Sequence, residues 1–82
     1  MLLITGATGH SGEWFIKMLI SEKYDKRIRC TVRETSNTSY LDNSGLDIEF
    51  VIGDLKDPSF ANRALDKITT VVNFTGLKCV KN

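Results

Sequence analysis

Residues 5–12 read Thr5-Gly6-Ala7-Thr8-Gly9-His10-Ser11-Gly12, with a glycine at every third position from Gly6. The chemistry open to this spacing is the binding of phosphate by backbone. Gly6 permits a tight turn, Gly9 lets a ligand come close to the main chain, and Gly12 lets a helix and a strand pack closely. The free N–H groups of a helix starting here, from about His10 to Gly12, would point at an anionic group, and the helix dipole adds to the attraction. Gly6, Thr8, Gly9, His10, Ser11 and Gly12 are therefore candidate contacts for a pyrophosphate. A purely structural strand-to-helix turn is the competing reading, and one that seldom needs three glycines. A nucleotide-hydrolysing P-loop would require Lys and Ser or Thr after the last glycine, where this chain has Glu13 and Trp14. His10 has no carboxylate partner in sequence and Ser11 no base, so backbone binding is expected of them rather than nucleophilic or acid–base chemistry.

The loop can work only if a strand delivers the chain to it and a helix leaves it. Met1 to Thr5 is an apolar run ending in the glycines, a first buried strand. From Ser11 to about Lys23, Phe15, Met18 and Leu19, with Trp14 and Ile16 beside them, recur at helical spacing. Ile28 to Val32 alternates as a second strand, and a short helix is expected within Thr38 to Asn43. Asp47 to Gly53 carries the β-rich Ile48, Phe50, Val51 and Ile52. Asp57 is a natural N-cap for a helix that begins at Pro58 and runs to about Asp66. Thr69 to Thr75 supplies a fourth strand. Strands alternating with helices through short connections call for right-handed crossovers and a parallel sheet with helices on both faces.

Four segments in order, TGATGHSG after the first strand, VRETS after the second, GDLKDPSF after the third and VVNFTG at the fourth, resemble a short-chain dehydrogenase/reductase. The likeness is to the extended and atypical branches, which include sugar-nucleotide epimerases, dehydratases and NmrA-like proteins. It implies an α/β, Rossmann-type fold of about four parallel strands in the order 3-2-1-4, and residues 1–82 as the N-terminal half of an NAD(P)-binding domain, with the substrate lobe absent. An acidic residue at the end of the second strand would favour NAD and a basic one NADP. Arg33 stands there, with Thr35, Ser36 and Asn37 next to it, so Arg33 and Ser36 are candidates for a 2′-phosphate and NADP is expected ahead of NAD. Glu34 bonding the ribose is the alternative. The resemblance also implies that Asp54 and Leu55 contact adenine and that Phe74, Thr75 and Gly76 line the ribose, although Asp54 could equally serve as a local cap. His10 and Ser11 depart from the apolar pair that most extended members carry, and a His after the second Gly is familiar in NmrA-like sequences.

In similar proteins a Tyr acts as general acid or base with a Lys four residues later. Tyr24 is followed at that distance by Ile28 and Tyr40 by Ser44, so no catalytic residue is expected in this chain. The expected role is the cofactor-binding portion of an oxidoreductase or an epimerase/dehydratase; a non-catalytic NADP(H)-sensing module and a remnant that binds nothing are the alternatives.

Composition excludes other classes. Eleven basic residues stand against ten acidic ones, and the basic ones, Arg29 among them, are spread along the chain and read as solvated surface. No field for nucleic acid follows. No run approaches the roughly 18 apolar residues of a membrane span, and a cytoplasmic protein is expected. Cys30 and Cys79 lack metal spacing and read as reduced thiols. At 82 residues the core must be modest. The fourth strand would present an uncovered apolar edge, at which copies of the chain are expected to associate.

Overall fold

A computed structural model describes residues 1–74, in which the strands β1 (Leu2–Thr5), β2 (Ile28–Val32), β3 (Ile48–Ile52) and β4 (Thr70–Asn73) alternate with the helices α1 (His10–Ser21), α2 (Ser39–Asp42) and α3 (Pro58–Leu65). The strands form one parallel sheet in the order β3-β2-β1-β4, as expected. In register, Leu2 lies opposite Ile28 and Thr70, and Ile28 opposite Ile48, so all four carboxyl ends reach one side of the sheet.

Side chains alternate across a strand, and the two faces here carry different chemistry. Ile4, Ile28 and Cys30 face a cluster completed by Ile16 and Leu19 of α1 and Leu41 of α2. Each such aliphatic side chain, fully buried, contributes about 1.5–3 kcal/mol. Burial also pushes the Cys30 thiol up to about 12, because a thiolate there would lose its hydration.

Arg29 points to the opposite face and is only 7% exposed, which corrects its reading as solvated surface. Its Nη1 donates to the carbonyl oxygens of Ala64 at 2.7 Å and Asp66 at 2.8 Å, and its Nε pairs with Glu49 Oε1 at 3.2 Å. The guanidinium thus satisfies the carbonyls that the end of α3 leaves without partners and sits at the negative end of its dipole. At the other end of α3, Asp57 caps the helix by accepting the Ser59 N–H at 3.0 Å, and Pro58 occupies the first turn, both as the sequence indicates.

The buried stripe of α1 is Gly12, Ile16 and Leu19 rather than Phe15, Met18 and Leu19; Trp14 and Met18 are exposed. The cause is the approach of the helix to the loop beneath it. A Cβ on Gly12 would stand 2.3 Å from the Gly6 carbonyl oxygen and 2.6 Å from Ala7 Cα, so Gly12 is turned onto the loop, and the residues four and seven positions on follow it inward. The helix ends at Ser21, earlier than its apolar pattern indicates, because Lys23 takes a left-handed conformation (φ 56°). The Lys23 N–H then bonds the Ile20 carbonyl and the Tyr24 N–H the Leu19 carbonyl, a Schellman ending without glycine.

Two substitutions test this packing by urea unfolding. Gly12→Ala is expected to lose at least about 2 kcal/mol of stability, because the new methyl meets backbone rather than a yielding side chain. Arg29→Met is expected to cost about 2–3 kcal/mol, whereas Arg27→Met, which removes only an exposed pair with Asp47, should stay within about 0.5 kcal/mol.

Candidate functional site

The turn after β1 needs the conformational freedom of glycine at one position. Gly6 has φ 76°, in the left-handed region, and its carbonyl accepts the Gly9 N–H at 3.1 Å. Gly9 is the N-cap of α1 and offers no side chain to cap it, and the first helical bond runs from the Glu13 N–H to the Gly9 carbonyl at 2.9 Å. The N–H groups of His10, Ser11 and Gly12 therefore precede the ladder of helical bonds, at the positive end of the helix. A Cβ at Gly9 would have only the Gly6 carbonyl oxygen nearby, at 3.4 Å, so this stretch of main chain is open to a close approach.

Beside the loop, across the carboxyl ends of β1, β2 and β3, lies a groove of about 370 Å³. Gly6, Thr8, Arg33, Ser36, Asp54 and Leu55, all candidates from the sequence, line it together. Open α/β sheets bind ligands at this end of their strands. Arg33 leaves β2 in a short turn: its N–H donates to Ser36 Oγ at 3.0 Å, and its carbonyl accepts the Ser36 N–H at 3.0 Å. Asp54 leaves β3 in another, with its Oδ1 accepting the Lys56 N–H at 2.9 Å. The two turns meet where Arg33 Nη2 stands 3.8 Å from Asp54 Oδ1.

The other candidates are placed differently. Gly9, His10 and Ser11 are exposed on the loop and the first turn of α1, and Gly12 is buried beneath it. The Phe74 ring packs against Phe15 at 5.6 Å between centroids, joining α1 to the end of β4, while its N–H bonds the Thr5 carbonyl at 2.9 Å. Thr75 and Gly76 lie outside the described residues.

Sequence reasoning passed over two parts of the site. Thr31 and Val32, at the end of β2, form the floor of the groove. Gly53 continues the β2–β3 ladder through its N–H to the Val32 carbonyl at 3.0 Å, and a Cβ on it would fall 2.4 Å from the Phe60 ring. The available signal was a glycine directly before Asp54 at a strand end. Among the described residues no group of three or more His, Cys, Asp or Glu could hold a metal ion. Among them, too, no helix is long and apolar enough to cross a membrane.

Comparison with known proteins agrees with this geometry. "Sterol demethylase protein B" of Methylococcus capsulatus (strain Bath) is 35% identical over 66 residues, which is 80% of this chain and 19% of that protein. The crystal structure of gox2253 superposes with a TM-score of 0.76 at 33% identity, covering 92% of this chain and 22% of the other. The chain thus spans about a fifth of the length of each. The family described as GDP-mannose 4,6 dehydratase matches residues 3–82, nearly the whole sequence. With that match over the same four-stranded sheet and glycine turn, the chain belongs to the GDP-mannose 4,6 dehydratase family, in which a nicotinamide dinucleotide is the implied cofactor.

Proposed function

We propose that residues 1–82 are the N-terminal half of the NAD(P)-binding domain of a sugar-nucleotide epimerase/dehydratase or oxidoreductase of the short-chain dehydrogenase/reductase type, and that its cofactor is NADP ahead of NAD. The observation that carries this reading is the convergence of the glycine turn, Arg33, Ser36 and Asp54 on one groove. The residues present fit the adenosine end of such a cofactor. Main chain from Gly6 to Gly12 receives the pyrophosphate, Leu55 and Asp54 receive adenine, and the Arg33 guanidinium with the Ser36 hydroxyl receives a 2′-phosphate. When bound, the nicotinamide supplies a site that gives or takes a hydride.

The part of this chain in the chemistry is binding and orientation. Neither Tyr24 nor Tyr40 has a Lys four residues on, so proton transfer belongs to the remainder of the longer protein, as does the choice of substrate. Cys30 is a buried free thiol, in keeping with the reducing cytoplasm in which we place the protein.

NADP at 100 times its dissociation constant should stabilise the chain by about 2.7 kcal/mol, a rise in melting temperature of about 10–20 °C for a domain of this size. Arg33→Asp should shift the preference toward NAD. Absence of stabilisation by either nucleotide would refute the reading.

A second expectation concerns the 82-residue chain by itself, in which β4 is an edge strand among the described residues, carries no charged residue from Thr70 to Asn73 and leaves Val71 48% exposed. Uncharged edges of this kind pair with other strands. Sedimentation velocity at rising concentration should show dimers that Val71→Lys disperses; a chain that stays monomeric throughout would rule the pairing out.

A further inference from the structure

The cation best placed for a 2′-phosphate is already engaged. Arg33 Nη2 lies 3.8 Å from Asp54 Oδ1, with the two side chains 64% and 47% exposed. Short hydrogen-bonded turns set the positions of both residues. Asp54 is held by the Lys56 N–H on its carboxylate and by the Asp57 N–H on its carbonyl, each at 2.9 Å. Arg33 is held by its reciprocal bonds with Ser36. The pair therefore bridges the turns after β2 and β3 on the rim of the groove, where Lys56 and Glu34 are the neighbouring charges.

We propose that Asp54 is a specificity-determining residue, which lowers the preference of the groove for a 2′-phosphate over a 2′-hydroxyl by neutralising the Arg33 guanidinium. The inference rests on the reading of this groove as an adenosine site. A dianionic phosphate has to replace the carboxylate as partner of Arg33 and then stand beside its negative charge. A ribose hydroxyl meets a neutral pair and bears no such cost. Arg33 in isolation would discriminate strongly; Arg33 with Asp54 discriminates less, so both dinucleotides remain usable.

The test is calorimetric titration of the chain with 5′-AMP and with 2′,5′-ADP at low ionic strength, where exposed charges are least screened. The quantity read is the Kd for 5′-AMP divided by the Kd for 2′,5′-ADP, so any loss of adenine contact common to both ligands cancels. Asp54→Asn should raise this ratio about fivefold, the upper range for an exposed pair. Asp54→Ser should do the same, and melting curves establish that each variant is folded. Adding Arg33→Ala to either should abolish the gain. An unchanged or lowered ratio in both folded variants overturns the inference and leaves the adenosine site standing. Failure of the folded parent chain to bind either ligand refutes the site itself, and the inference with it.

Discussion

Between the first turn of α1 and the carbonyl of Gly6 there is no room for a side chain of any kind. Most of the structure around the loop follows from that contact. It sets the rotation of α1, so that Ile16 and Leu19 reach the cluster formed with Ile4 and Cys30 while Trp14 is left outside. It also brings the positive end of the helix against the carboxyl end of β1, with His10, Ser11 and Gly12 ahead of the first helical bond. An open helix start beside the strand end and a packed helix–sheet interface are both consequences of one missing Cβ.

The opposite face of the sheet depends on polar bonding rather than on apolar packing alone. Arg29 enters from β2 and gathers the last carbonyls of α3 together with Glu49 of β3. A buried guanidinium is tolerated because its Nε and Nη1 donors are matched, and its charge faces the negative end of a helix. Phe60 at the other end of the same helix closes onto Gly53. The turn that carries Asp54 is thereby anchored from below, which fixes one wall of the groove, while Ser36 fixes the facing one through Arg33.

Much of this was legible in the chain itself, because the signals were local. Glycine at every third position, a strand before and a helix after, is a statement about backbone conformation. So is Asp57-Pro58 at the start of α3. The alternation of strands and helices prescribed a parallel sheet, since right-handed crossovers leave little choice. The positions of Arg33 and Asp54 at strand ends were equally readable, because a residue just past a parallel strand reaches the binding edge wherever the strand lies.

Other features required the third dimension. Arg29 is buried only because a helix 34 to 37 residues further on ends above it, and no local pattern distinguishes it from Arg27. The buried stripe of α1 was set by contact with a loop rather than by the best fit of apolar residues to a helical period. Phe74 turned its ring onto Phe15, a partner on a distant element. The proximity of Arg33 to Asp54, 21 residues apart in sequence, is a property of two adjacent strand ends. The sequence by itself determined which backbone shapes the glycine turn and the start of α3 adopt and at which end of the sheet the candidate site lies, because those depend on neighbours along the chain; which charges meet there was decided by tertiary structure, because it depends on neighbours in space.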